Sequence, residues 1–144
     1  MAFHDGSVRW FPFGDFTDFE VHILRADPER RVVDFLVRFE PNSRIQLHRH
    51  LAETNTLVLQ GEHRLYDPDG TLSDVRSVGT YTSSPAGPEH REGAGDERSV
   101  VHYSMRSDQE LLFEFLDYDM SVLARLTIQD IAAAWEQQQA APVS

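Results

Sequence analysis

Short runs in which apolar residues alternate with polar ones, divided by turn residues, fill the chain from residue 19 to residue 126 and predict strands. Phe19 to Arg25 and Arg31 to Phe39 interleave β-branched and aromatic residues with charged ones around Asp27-Pro28-Glu29, the pattern of a hairpin with one wet face. Pro41-Asn42-Ser43 turns the chain into a strand in which Arg44, Gln46, His48 and His50 are expected to share a face. An apolar run, Leu57-Val58-Leu59, closes on Gly61. Further strands are expected over Glu62 to Tyr66 and Thr71 to Val78, with Asp67-Pro68-Asp69-Gly70 as the turn. After a flexible acidic loop from Glu92 to Glu97 come strands over Arg98 to Met105, Glu110 to Asp117 and Val122 to Leu126.

The period then changes. Thr127 is a helix N-cap candidate, Asp130 suits the first turn, and Ile131 and Trp135 stand one helical turn apart, so a helix is expected over 128–139, with the tail from Gln137 to Ser144 fraying. At the other end, residues 1–18 carry Trp10, Phe11, Phe13 and Phe16 among Pro, Gly and Asp. This reads as an aromatic arm laid over the body of the same chain or over a second subunit. The fold class is all-β with a short C-terminal helix, and 144 residues suit one domain.

Composition narrows the function classes. With no cysteine, disulfides, thiolate ligands and a thiol nucleophile are excluded. A net charge of −11 argues against a phosphate backbone as partner, so no nucleic acid is expected. The N-terminus lacks the basic and long apolar regions of a signal peptide, and no apolar run would span a bilayer. A cytoplasmic protein without membrane contact is the expectation.

Chemistry concentrates in two blocks. In a strand, His48 and His50 point to the same side about 7 Å apart, half of a metal site. About thirty residues on, Gly79, Pro85 and Gly87 bracket a turn that delivers His90. These blocks resemble the two cupin motifs, GX5HXHX3,4EX6G and GX5PXGX2HX3N, at His48, His50 and Gly61 for the first and Gly79, Pro85, Gly87 and His90 for the second. The resemblance implies a double-stranded β-helix, or jelly-roll barrel, with a metal held in its lumen. Asn42 stands where the first motif opens with Gly, and Asn tolerates the left-handed backbone such a turn needs. Thr54 stands where the family has a carboxylate ligand, and Ala94 where the second motif ends in Asn. Glu53 lies one residue out of register and would join the ligands only through a β-bulge. His102, on a late strand of the barrel, is an alternative or additional ligand beside His90. His63 belongs to no motif and reads as surface or cross-strand packing.

Three histidines without the carboxylate resemble the ligand set of cupins that cleave acetylacetone or dihydroxyacetophenone. That likeness implies one divalent metal, Fe(II) favoured with Zn, Ni or Mn as alternatives, and oxygenative cleavage of a carbon–carbon bond in a small anionic diketone or hydroxy-ketone. Neutral imidazoles leave the metal's charge near plus two, which favours such a substrate. Arg44, Gln46, Thr56 and Tyr81 are the candidates to orient it. A small molecule and O2 are therefore the expected partners, with a homodimer implied by the resemblance and the aromatic arm. The alternatives are an isomerase, dehydratase or decarboxylase using the metal as a Lewis acid, and a non-catalytic sensor similar to the cupin domains of some anti-sigma factors.

Overall fold

The computed structural model describes residues 6–141, so residues 1–5 of the expected arm and 142–144 of the expected frayed tail lie outside the described residues. In chain order the strands are β1 (Phe11–Pro12), β2 (Phe19–Asp27), β3 (Val32–Phe39), β4 (His48–His50), β5 (Glu53–Gln60), β6 (His63–Tyr66), β7 (Leu72–Arg76), β8 (Tyr81–Ser84), β9 (Arg91–Gly93), β10 (Ser99–Arg106), β11 (Leu111–Leu116) and β12 (Val122–Thr127). The helix is α1 (Ile128–Ala140). Among the described residues, no helix is long and apolar enough to cross a membrane.

The strands are antiparallel and form two facing walls. One is a six-stranded sheet in the order β1-β2-β3-β10-β5-β8. The other joins two three-stranded sheets, β12-β11-β4 and β7-β6-β9, through a bridge at which His48 and His90 exchange both backbone hydrogen bonds, at 3.0 and 2.9 Å. This is the jelly-roll barrel that the resemblance implies, built from the strands that the alternation predicts. Its interior is filled by inward residues of both walls, among them Phe35, Phe39, Tyr103, Met105, Phe113 and Phe115, all buried.

Several local features follow from single residues. Asn42 adopts φ 57°, the left-handed backbone expected of it. Thr127 caps α1 in a reciprocal box with Asp130. The helix docks through Ile128 and Ile131, and Gln138 exchanges hydrogen bonds of 2.8 and 2.9 Å with the backbone of Ile23 on β2. The aromatic arm packs on its own chain: Phe16 stacks on Phe115 at 4.0 Å, and Phe13 meets Phe19, Phe113 and Phe115 at 6.1 to 6.2 Å.

One expectation is corrected here. The stretch after His90 is a strand rather than the start of a flexible acidic loop: β9 pairs with β6, and residues 92–95 are buried. Glycine permits this. A side chain at Gly93 would stand 1.7 Å from the carbonyl oxygen of Ser43, so only glycine lets β9 lie against the segment leading into β4, where Ile45 donates to the Glu92 carbonyl at 2.8 Å.

Candidate metal centre

Strand β4 projects His48 and His50 inward and turns the intervening Arg49 outward, where it pairs with Glu114 and Glu89. The His48–His90 bridge lays the second motif beside the first. The ring centroids of His48, His50 and His90 lie 4.6 to 5.2 Å apart. Nitrogen atoms of the three rings and a carboxylate oxygen of Glu92 all fall within 4.8 Å of one another, a group that could hold a metal ion.

Each imidazole is oriented through its other nitrogen. His48 Nδ1 donates to the Gln46 carbonyl at 2.9 Å, and His90 Nδ1 donates to the Pro88 carbonyl at 3.1 Å. His50 Nδ1 donates to Thr54 Oγ1 at 3.0 Å, because the Thr54 hydroxyl proton is spent on the Ala52 carbonyl. A carbonyl can only accept, so the proton sits on Nδ1 and the Nε2 lone pair is left for the centre of the group. Thr54, at the position of the family's carboxylate, thus works as an orienting group for a histidine.

Glu92 occupies the focus of the cluster. Its Oε2 lies 2.6 Å from His48 Nε2, 3.5 Å from His90 Nε2 and 3.7 Å from His50 Nε2. Its Oε1 accepts from His63 Nε2 and from the Tyr103 hydroxyl, both at 2.6 Å. With Nδ1 of His48 and His90 donating outward, their Nε2 atoms can donate to Glu92 only as imidazolium, and a cation bound between neutral rings and the carboxylate would take the place of those protons. The donor set therefore fits a divalent metal: imidazole nitrogen and carboxylate oxygen suit Zn, Fe, Ni and Mn. It would bring the site near plus one rather than the plus two expected from three imidazoles alone.

Burial governs the protonation of the group. It pushes His50 down to about 4, against the hydrogen bond and charge of Glu92. Burial also disfavours a proton on His90, but the hydrogen bond and charge of Glu92 and the Pro88 carbonyl outweigh it, and the value rises. Burial would raise Glu92, yet hydrogen bonds from His48, His50, His63 and His90 hold it well below the usual carboxylate range. Tyr103 is pushed well above the usual phenol value by burial and by the Glu92 charge.

The centre lies between two cavities. On the inner side, a space of about 50 Å³ is walled by Phe and aliphatic side chains together with His48, His50, Glu92 and Tyr103. On the outer side, a mouth of about 240 Å³ is lined by Thr56, Arg76, Thr82, Ser84, Glu89 and His90 among others. Arg76 donates to Thr82 Oγ1 at 3.3 Å and pairs with Asp74 at 3.0 Å.

His48, His50 and His90 are brought together and Thr56 lines the mouth beside them; the remaining sequence candidates stand apart. Arg44 is exposed, over the Tyr66 ring at 4.7 Å and donating to the Gly70 carbonyl. Gln46 spends its amide on the Leu116 carbonyl at 2.7 Å. Residues 43–47 do not form a regular strand, so the alternation from 48 to 50 does not extend back to them. Tyr81 opens β8 at 63% exposure, whereas Thr82 beside it faces the mouth and bonds Thr56 at 2.5 Å. Glu53 is exposed, since Thr54, Thr56 and Val58 take the inward positions of β5. His102 points away from the lumen toward Asp34, at 3.7 Å, while Tyr103 faces in. His63, expected at the surface or in cross-strand packing, is fully buried against Glu92. Glu92 carried one signal in the sequence: it stands two residues after His90, the strand spacing that puts both on one face.

Comparison with known proteins places this geometry. No curated protein matches the sequence significantly. Among solved structures, an RmlC-like cupin from Ralstonia eutropha JMP134 is similar over 100% of this chain and 90% of its own, with 16% identity and a TM-score of 0.77. An acetylacetone dioxygenase from Acinetobacter johnsonii is similar over 89% of this chain and 85% of its own, at 17% identity and a TM-score of 0.72. The DMSP lyase DddQ from Ruegeria pomeroyi DSS-3 is similar over 75% of this chain and 60% of its own, at 18% identity and a TM-score of 0.60. At these identities the likeness is one of fold. The family profile described as the ChrR cupin-like domain matches residues 1–108, which include both histidine blocks and Glu92, and the chain belongs to that family.

Proposed function

We propose that this cupin is a mononuclear metalloenzyme that binds a small anionic diketone or hydroxy-ketone in its outer mouth and cleaves a carbon–carbon bond with O2, using iron(II). The observation that carries the reading is the orientation of the three imidazoles, whose Nδ1 atoms are all engaged and whose Nε2 atoms converge. The similarity of fold to an acetylacetone dioxygenase supports the reaction type. When bound, iron(II) supplies the path by which an electron-rich substrate reduces O2. The chain's own residues do the rest. Arg76 and the Thr56–Thr82 pair offer donors to substrate oxygen atoms in the mouth, and the aromatic inner cavity keeps bulk water from the reacting side.

Glu92 favours a second reading. Counted as a ligand beside three histidines, it would lower the charge of a bound metal and leave fewer open positions for substrate and O2 together, which suits Lewis-acid chemistry with Zn, Ni or Mn. Elemental analysis of protein purified without chelators, followed by anaerobic iron(II) loading and oxygen-uptake assays over β-diketones and hydroxy-ketones, separates the two. About one iron per chain with substrate-dependent uptake is the expected result, and His102→Ala is expected to keep the metal that His90→Ala loses. Iron-loaded protein that consumes no oxygen across the panel ends the oxygenase reading. Turnover of the same compounds under nitrogen by the Zn, Ni or Mn form establishes the Lewis-acid one.

A further inference from the structure

His63 and Tyr103 meet the metal cluster through Glu92, and both also form part of the wall of the outer mouth. His63 opens β6 and Tyr103 lies in the middle of β10, on opposite walls of the barrel, yet both reach the same carboxylate oxygen, Glu92 Oε1, at 2.6 Å. They are 3.3 Å from each other, from the Tyr103 hydroxyl to His63 Nε2. All three residues are buried, at 0% for His63, 2% for Tyr103 and 4% for Glu92. His63 Nδ1 is buried without a hydrogen-bond partner, so the ring's polar contacts, to Glu92 and to the Tyr103 hydroxyl, both run through Nε2 and leave the other nitrogen orphaned, an arrangement that packing alone does not require. Each ring is also held in plane by a neighbour: Tyr103 stacks on Phe35 at 5.1 Å and 4°, and His63 on Phe39 at 5.8 Å and 17°. Two rigid donors on one oxygen leave the other oxygen, Oε2, aimed at the three Nε2 atoms.

We propose that His63 and Tyr103 are positioning residues that clamp Glu92 Oε1 from opposite walls so that Oε2 serves as the metal's carboxylate ligand, the role left open by Thr54. The inference rests on the reading that the site holds a metal. Its physical basis is that a ligand held by outer hydrogen bonds binds without reorganising, and that removing such a partner costs about ten- to a hundredfold in metal affinity. The clamp also explains why the family's carboxylate position is dispensable: the carboxylate comes from β9, on the same strand face as His90, rather than from β5.

The test uses Co(II) as probe, with affinity read by chelator competition and ligand set by the visible spectrum. Tyr103→Phe deletes only the hydroxyl and keeps the stack on Phe35; His63→Leu deletes the donor, and His63→Gln retains one at the end of its side chain. The expected result is at least about a tenfold loss of Co(II) affinity with an altered spectrum for Tyr103→Phe and His63→Leu, recovered in large part by His63→Gln. In a Glu92→Gln background, Tyr103→Phe should add little, because the effect runs through the carboxylate. Wild-type affinity and spectrum in Tyr103→Phe and His63→Leu would overturn the clamp while leaving the metal reading intact. An equal loss in the Glu92→Gln background would overturn it too, since the residues would then act by another route. Wild-type protein that binds no Co(II), Zn(II) or Fe(II) would instead remove the metal reading itself. Melting of the metal-free variants identifies any that fail to fold, in which case the conservative Tyr103→Phe decides.

Discussion

At the scale of single residues, the site is shaped by where protons sit. His50 is neutral down to about 4, whereas His90 holds a proton above the ordinary histidine value of 6.5 because Glu92 faces it. A raised value means that a proton competes with the metal at His90 over a range in which His50 offers a bare lone pair. Metal affinity is therefore expected to fall by at least about tenfold for each pH unit on descending below the His90 value, the slope of one displaced proton, and to be steeper still once His50 takes up its proton near pH 4. Chelator competition over a pH series measures the slope. A flat profile from neutrality into mild acid would remove His90 from the ligand set.

At the scale of elements, β4 is a strand of three residues that carries two ligands, and its position depends on the strand next to it. Arg49 on β4 and Arg125 on β12 both stand directly opposite Glu114 of β11 in the register and both reach its carboxylate, at 2.7 Å. Arg125 first, and then Arg49, hold Glu114 below the usual carboxylate range against its burial. Because the folded value is lowered from 4.5, this triad's contribution is full above that pH and is lost as pH falls through the lower folded value. Both guanidinium groups reach water, at 36% and 63% exposure, so Glu114→Ala is expected to cost only about 1–2 kcal/mol. The same variant should also lose its share of the acid dependence of unfolding. Urea denaturation at neutral pH and near pH 3 checks both, and a variant whose deficit is unchanged at the acid end would contradict the assignment.

For the whole molecule, the N-terminal arm and α1 cover the barrel and close its apolar end. Phe13 lines the inner cavity on the side away from the polar mouth, and Phe16 is half-buried on Phe115. Phe16→Ala is expected to destabilise the fold by about 1–3 kcal/mol, below the figure for a fully buried phenylalanine, while leaving bound metal in place. Thermal melting and metal content measured together test this. Loss of metal without loss of stability would mean that the arm shapes the site and not merely the core.

Much of this protein was legible along the chain because the relevant physics is local. Strand alternation, the Asn42 turn, the Thr127 cap and the spacing of His48, His50 and His90 each depend on backbone angles and side-chain direction over a few residues. The tertiary structure alone decided what surrounds the histidines. Glu92, His63 and Tyr103 come from β9, β6 and β10, separated by 11 to 40 residues, and which strands meet is set by the packing of two walls. Register decided the rest. Thr82 rather than Tyr81 faces the mouth, Tyr103 rather than His102 faces the lumen, and Arg44 and Gln46 fall in a stretch with no strand period to carry them inward. A side-chain period of two turns a one-residue difference in register into opposite faces of a sheet, and that register is a property of the assembled barrel rather than of any one strand.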